Sequence, residues 1–315
     1  MSEAPFPVEP ARHRRPRLGY AMAASAAVVW GLNGSVSKTI LSTGVSSERL
    51  AEVRSLGAAL GLVAILAVTA PGRLRLTRRE LPYLIAFGVG GLAFVQWFYF
   101  LAIHRLDIGV ALLIEYLAPL LVALWARFAY HDPVRRRIWV ALALALAGLS
   151  LIVNLFGGGA SLSTAGVLFA FAGAFAYALY VLLAEHVVGG RDPVSLLAWG
   201  FLFASVFWAV VVPWWSFPGH SFTRSTSLHG HLHALHLPVW ALAAWMIALG
   251  TIAPFFLLVS ALRHLTATRV GIVAMLEPVA GALVAWAWLG ESLGGIQLAG
   301  AAVVLAAIVL AQTAR

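Results

Sequence analysis

Long, uninterrupted runs of apolar residues, separated by short polar segments, make up most of the chain. Each run is about 20 residues long, which is the length that an α-helix needs to cross a bilayer. Apolar and polar residues do not alternate within the runs, which excludes the strands of a membrane barrel. The pattern therefore predicts an all-α integral membrane protein with ten transmembrane helices, at about residues 18–40, 50–70, 81–103, 106–130, 138–155, 164–186, 194–215, 238–260, 267–289 and 294–313.

The amino-acid composition agrees with this interpretation. Of the 315 residues, 62% are hydrophobic and 10% are charged, whereas a soluble domain has about 25% charged residues. The composition excludes a soluble enzyme and a disordered protein. The formal charge of +9 comes mainly from arginines in the short segments between the runs. We therefore expect a lipid bilayer as partner and no nucleic acid. The absence of cysteine excludes disulfides and thiolate metal sites.

The distribution of arginines predicts the orientation in the membrane. If the N-terminus is cytoplasmic, 14 arginines fall in cytoplasmic segments and 3 in external ones. Positive residues concentrate on the cytoplasmic side, so we expect both termini to be cytoplasmic in a multi-pass protein of the cell membrane. Residues 1–17 hold four prolines and four arginines without apolar periodicity, which predicts a disordered tail before an uncleaved first helix.

A shift of 159 residues superimposes the fourth predicted span on the ninth. Seven identities then align, including Pro119 with Pro278, and Gly91 meets Gly250. This indicates two repeats of five spans, at residues 18–155 and 164–313. Because five is an odd number, the second repeat must be inverted in the membrane. Inverted repeats with interrupted helices are typical of secondary transporters.

Several short motifs carry a family resemblance. The run from Leu276 to Val279 reads Leu-Glu-Pro-Val and is followed by Leu-Gly-Glu at 289–291, while Trp30-Gly31, Lys38 and Arg54 lie in the first two spans. On these residues the chain resembles the drug/metabolite transporter superfamily, in particular its EamA-type ten-helix permeases. It differs from that pattern at 131–132, where His-Asp replaces the usual Gly-Glu.

The resemblance implies transport of small metabolites, often export, by alternating access in the cytoplasmic membrane. It also implies that spans five and ten are peripheral and that the other eight surround a central cavity.

Charged side chains at membrane depth cost about 2.5–3.5 kcal/mol and are functional candidates by default. Glu115 lies in the fourth span, one helical turn before Pro119, and Glu277 adjoins Pro278. Each predicts a carboxylate for substrate binding or proton coupling, with a structural pair as the alternative. Arg54 is a candidate for a substrate carboxylate, although it could instead snorkel or pair with Glu52.

Other candidates have weaker signals. Lys38 stands at the outer end of its span, where snorkelling to the headgroups is the default interpretation. Polar and aromatic side chains within the spans are further candidates for lining a cavity, because polar groups in lipid need partners: Trp30, Asn33, Gln96, Tyr116, Tyr177 and Tyr180. Pro119 and Pro278 mark points where their helices can bend.

Two motifs favour no cofactor or metal. The segment 216–237 holds five histidines but no carboxylate or cysteine, so a solvated external loop is favoured over a metal site. The three glycines at 157–159 lack the Lys-Ser/Thr element of a phosphate loop and predict a connector.

We therefore expect a secondary transporter, most simply an exporter, of small polar or amphipathic metabolites such as amino acids, with protons as a candidate coupling ion. The alternative within transport is uptake or exchange of a phosphorylated metabolite. An intramembrane enzyme and a non-transporting scaffold are more distant alternatives. Small-residue faces on spans five and ten leave a homodimer open as an arrangement.

Overall fold

The computed structural model describes residues 15–106, 108–131, 133–153 and 163–313. Its long helices are α1 Pro16–Leu41, α2 Ser47–Thr69, α3 Leu81–Ile103, α4 in two pieces (Ile108–Glu115 and Ala118–Phe128), α5 Arg136–Ile152, α6 Thr164–Val188, α7 Pro193–Val211, α8 Val239–Ala261, α9 in two pieces (Ala267–Ala274 and Leu276–Val284, continuing through Ala285–Leu289) and α10 Gly295–Thr313.

Shorter elements lie between them: the 3₁₀ turns Pro71–Leu74, Trp214–Ser216 and Gly230–Leu232, the helix Gly219–Thr223, and the strands β1 Ser225–Ser227 and β2 His236–Pro238. The first helix begins at Pro16, two residues earlier than predicted. Most of the predicted tail, Asp132 and the glycines at 157–159 lie outside the described residues.

Within the part of the chain that the structure describes, eight helical segments are long and apolar enough to cross a membrane; α1 and the 17-residue α5 are not among these eight. The prediction of an all-α membrane protein is confirmed, while the count of ten spans stays a prediction. Helix starts follow ordinary capping chemistry. The Ser46 hydroxyl accepts a hydrogen bond from the Arg49 amide, and Asp192 caps α7 through the amides of Val194 and Ser195.

Irregularities recur at matching places in the two halves of the chain. A π-helical stretch interrupts α3 at Ala86–Ala93, and another interrupts α8 at Ala248–Ile252. Gly91 and Gly250, which the 159-residue shift aligns, lie within these stretches. The break in α4 follows Glu115 and the break in α9 follows Ala274, again 159 residues apart. Such coincidences are expected of a repeated structural unit.

Helix packing shows the same correspondence. α5 packs along α10, and α2 packs along α7. α3 packs on α6 as α1 packs on α8, and α4 packs on α6 as α9 packs on α1. The backbones approach most closely where glycines meet. At Gly148 of α5 a Cβ would lie 2.7 Å from the Gly300 carbonyl of α10, so neither position has room for a larger side chain.

The segment between α7 and α8 folds over the ends of α1 and α9. Strands β1 and β2 pair antiparallel, with Thr226 opposite Leu237. The Trp288 indole donates to the Leu228 carbonyl (2.9 Å). We call this face of the molecule the strap face, and the face where α1 begins and α10 ends the terminal face.

Buried arginines join loops to helix starts at both faces. On the terminal face, Arg191 lies 2.7 Å from the Glu80 carboxylate and donates to the carbonyls of Arg73 and Arg75. On the strap face, Arg49 pairs with Glu52 and donates to the Pro213 carbonyl (3.0 Å). Each arginine therefore holds the loop that leaves the partner helix of the α2–α7 pair.

Replacing the arginine on the terminal face should destabilise the protein. Arg191→Gln leaves the Glu80 carboxylate without its cation, and removing one partner of a buried pair costs about 3 kcal/mol or more. We expect a lower melting temperature in detergent at neutral pH. Arg75→Gln is the matched control, because Arg75 contributes only its carbonyl to this cluster.

The difference between wild type and Arg191→Gln should shrink in acid. Burial raises the pKa of Glu80, but hydrogen bonds from Thr77 and Arg191 and the Arg191 charge outweigh it and hold this pKa below its usual value. The stabilisation is therefore present above about pH 4.3, the ordinary pKa of a glutamate, and is lost as the pH falls further. A constant difference down to pH 3 would contradict this assignment.

Candidate functional site

A cavity of about 540 Å³ lies within the bundle. Its walls come from α1, α2, α3, α4, α6, α8 and α9, and it opens near Lys38, Leu41 and Ser47 at the strap face. Neither α5 nor α10 contributes a lining residue. These two helices therefore lie outside the ring of helices that lines the cavity, as the family resemblance implies.

The structure brings all ten of the binding residues predicted from sequence to the wall of this one cavity: Trp30, Asn33, Lys38, Arg54, Gln96, Glu115, Tyr116, Tyr177, Tyr180 and Glu277. They come from six helices that are far apart in sequence. Their roles in binding or proton transfer stay predictions. Two aromatic residues of the wall, Phe100 and Phe255, were not predicted from the sequence. An apolar ring in a membrane span looks the same in the sequence whether it faces lipid or a cavity.

The broken helices place both carboxylates at the cavity. Pro119 has no backbone N–H to donate to the Glu115 carbonyl, and Pro278 has none for the Ala274 carbonyl. The backbone tightens at these points, with i→i−3 hydrogen bonds from Leu117 to Ile114 and from Met275 to Ile272. Glu115 ends the first piece of α4, and Glu277 lies in the first turn of the second piece of α9. The carboxylates therefore lie beside the two interruptions.

Side chains with charges of both signs line the cavity. The Tyr116 hydroxyl donates to Glu277 Oε2 (2.8 Å). Arg54 lies close enough to Glu277 for charge attraction. The alternative in which Arg54 pairs with Glu52 is wrong, because Glu52 pairs with Arg49. The cavity thus holds two acids, Glu115 and Glu277, that lie near each other, and a buried guanidinium that lies near Glu277.

Several polar atoms of the wall are buried without a hydrogen-bond partner. They include two donors, Trp30 Nε1 and Arg54 Nε, and two acceptors, Asn33 Oδ1 and Gln96 Oε1; the Tyr180 hydroxyl is a fifth such group. A buried polar group without a partner costs about 1–3 kcal/mol. These atoms are themselves shielded from the cavity, so a polar ligand recovers that cost only where the side chains turn toward it.

Aromatic rings and close helix contacts hold these groups in place. Trp30 packs edge-on against Phe255 with ring centroids 5.0 Å apart, and Phe255 packs in the same way against Tyr180 at 5.8 Å. A Cβ at Gly250, in the π-helical stretch of α8, would overlap Asn33 Oδ1. The glycine therefore gives Asn33 the space it occupies beside the cavity.

At the mouth of the cavity Lys38 does not simply extend to lipid headgroups. Its ammonium lies 2.5 Å from Glu291, and both side chains are exposed. Two loop histidines lie beside this pair: His229 Nε2 is 3.0 Å from the Ser42 hydroxyl, and His231 Nδ1 is 3.0 Å from the Ala287 carbonyl. These contacts attach the loop to the ends of α1 and α9.

Among the residues that the structure describes, no group of three histidine, cysteine or acidic side chains could hold a metal ion. The loop histidines instead contact a hydroxyl and backbone carbonyls, as shown by His233 and the Gly230 carbonyl at 3.0 Å. The site chemistry is that of side-chain charges, hydroxyls and aromatic faces.

A bundle of membrane helices around a cavity with charges of both signs is typical of membrane transport proteins. Comparison with known families agrees: the EamA-like transporter family matches residues 17–154 and 164–313. The chain belongs to that family. It is accordingly a multi-pass membrane protein and a transporter of the drug/metabolite type, and its relatives are transporters and not enzymes.

The individual relatives have low sequence identity to this chain, but each similarity extends over most of both chains. The threonine/homoserine exporter RhtA of Escherichia coli K12 is 27% identical over 255 residues, 81% of this chain and 79% of that protein. An uncharacterized inner membrane transporter, YicL of Salmonella typhimurium, is 24% identical over 90% of this chain and 92% of that protein. A probable amino-acid metabolite efflux pump of the same species is 23% identical over 89% and 90%.

One crystal structure of a protein superimposes with a TM-score of 0.75 at 18% identity, covering 93% of this chain and 96% of that chain. At this identity the likeness concerns the fold alone.

Proposed function

We propose that the protein exports small amino acids or closely related zwitterionic metabolites by alternating access. The observation that carries the proposal is the cavity, whose wall includes Arg54 near Glu277, and Glu115 near the same Glu277. A zwitterion presents one carboxylate and one ammonium group to such a wall. The names of RhtA and of the efflux pump support amino-acid export.

Each polar group of the substrate has a counterpart in this arrangement. Arg54 binds the carboxylate, because a guanidinium can offer two parallel donors to it. Glu115 binds the ammonium group, and Glu277 keeps Arg54 oriented. In the absence of substrate a proton on Glu115 replaces the ammonium, which couples export to proton movement. A phosphorylated metabolite would instead meet two carboxylates, and like charges oppose its binding.

In our proposal the two halves of the chain are inverted repeats, and alternating access follows from this arrangement. The matching π-helical stretches, the matching breaks in α4 and α9, and the reciprocal packing of the helices all support a pseudo-twofold relation. Ten transmembrane helices with both termini in the cytoplasm fit the arginine distribution. The cavity then opens to the outside in this conformation and to the cytoplasm in its mirror state.

Flux in reconstituted vesicles tests the proposed function. Purified protein in proteoliposomes should move radiolabelled L-threonine or another of the twenty proteinogenic amino acids, with saturation kinetics and above the rate in protein-free vesicles. An imposed proton gradient should change the initial rate. If none of the twenty crosses faster than in protein-free vesicles, amino-acid export is not the function.

A further inference from the structure

A second pocket, of about 260 Å³, opens at the terminal face between α4, α6, α9 and the start of α5. We call it the terminal-face pocket. Glu185, the partly buried Arg269 and the exposed Arg135 bring charges of both signs to its wall. Thr266, Thr268 and Tyr130 bring hydroxyls. Glu185 accepts a hydrogen bond from the Ala267 amide (2.8 Å), and Arg269 also contacts the Tyr20 hydroxyl. Glu185 and Arg269 are therefore held in place by the protein.

The terminal-face pocket and the central cavity are stacked along α4, α6 and α9. Tyr177 and Glu185 are eight residues apart on α6, and Glu277 and Arg269 are eight residues apart on α9. At 1.5 Å per residue these separations correspond to about 12 Å. The pocket thus continues the axis of the cavity on the side away from its mouth.

A packed layer separates the two spaces. A Cβ at Gly271 would lie 3.0 Å from the Pro119 ring, and Ala123 and Val273 beside it are fully buried. This contact joins α9 to the proline that follows the break in α4. The layer is therefore attached to the irregular parts of both helices, which are the parts least constrained by regular backbone hydrogen bonds.

The repeat assigns the pocket a counterpart at the other face. Glu185 is the third residue before the end of α6 at Val188, and Lys38 is the third residue before the end of α1 at Leu41. Lys38 lines the mouth of the central cavity and Glu185 lines the terminal-face pocket. Equivalent positions in the two halves thus place a charged side chain, Lys38 or Glu185, near the opening of each space.

We infer that the terminal-face pocket is a second binding site for the transported zwitterion, which docks there before it passes the packed layer into the central cavity. Arg269 binds its carboxylate, and Glu185 together with the hydroxyls of Thr266 and Thr268 binds its ammonium group. This inference rests on the proposed function, because the pocket would bind the same class of ligand as the central cavity. It adds a second site for that ligand.

Protection of introduced cysteines from a thiol reagent tests the inference. The chain contains no cysteine, so Thr266→Cys reports on the terminal-face pocket and Ser37→Cys on the central cavity. The Thr266 side chain makes no capping hydrogen bond, which makes its replacement mild. The reaction rate with a charged methanethiosulfonate is measured in detergent with each of the twenty proteinogenic amino acids.

We expect at least one amino acid to slow the reaction at both cysteines about fivefold or more. Adding Arg269→Gln should abolish protection at Thr266→Cys and preserve it at Ser37→Cys. Arg127→Gln, which removes an exposed arginine of the same face that does not line the pocket, should change neither.

The pattern of protection distinguishes a failure of the second site from a failure of the proposed function. Protection at Ser37→Cys alone overturns the second site and leaves the proposed function standing. Protection at both positions that survives Arg269→Gln also overturns it, since a distant conformational change then explains the result. Protection at neither position by any amino acid overturns both proposals, whereas protection at Thr266→Cys alone supports the pocket and contradicts the central site.

Discussion

Glu115→Gln should nearly abolish amino-acid transport while the protein still folds and inserts. The substitution keeps the size of the side chain but removes the charge that we assign to the substrate ammonium. Losing one partner of a desolvated charge pair costs about 2–5 kcal/mol, and each 1.4 kcal/mol is tenfold. We expect kcat/KM for export to fall about 30-fold or more. Proton-coupled stimulation of the rate should disappear as well.

Glu48→Gln is the matched control for this prediction. Glu48 lies in the first turn of α2 and does not line the cavity. It should keep the wild-type rate. Equal flux in wild type and Glu115→Gln, at equal amounts of reconstituted protein, would reject the assigned role.

Arg54→Gln should remove the ability to distinguish a substrate from its amide. The wild-type protein should prefer an amino acid over the corresponding amino-acid amide, because only the former offers a carboxylate to the guanidinium. Binding of such a carboxylate in a buried site is worth about 2–5 kcal/mol. We therefore expect the preference of wild type, about 30-fold or more, to fall to near unity in the variant.

The amide comparison separates recognition from a folding defect. A variant that is merely less stable loses transport of acid and amide in parallel. Arg54→Lys retains the charge but not the two-pronged geometry, so it should recover part of the preference. If Arg54→Gln keeps the full preference for the acid, the substrate carboxylate binds elsewhere.

Sequence patterns predicted the helices and the polar side chains that line the cavity, for a physical reason. Lipid demands long apolar segments, so every span is visible as a run, and a polar side chain such as Asn33 or Glu115 stands out within it. Such residues point inward because lipid cannot solvate them. The ten predicted candidates therefore meet at one cavity.

Pairings between residues could not be predicted in the same way. Glu52 is two positions from Arg54, yet it pairs with Arg49, and Arg54 instead lies near Glu277. The contact between Lys38 and Glu291 likewise depends on helix packing. The π-helical stretches in α3 and α8 also left no local signal, because their residues are as apolar as their neighbours.

Alternating access requires that the cavity open to one face at a time, and paired distances measured by pulsed electron paramagnetic resonance test this directly. Spin labels at Ser42 and Arg105 span the mouth on the strap face, and labels at Gly189 and His264 occupy the equivalent loops on the terminal face. Since the chain has no cysteine, each pair is introduced without other changes. On adding transported amino acid, the first distance should shorten as the second lengthens. Two distances that stay fixed, or that change in the same direction, would contradict alternating access.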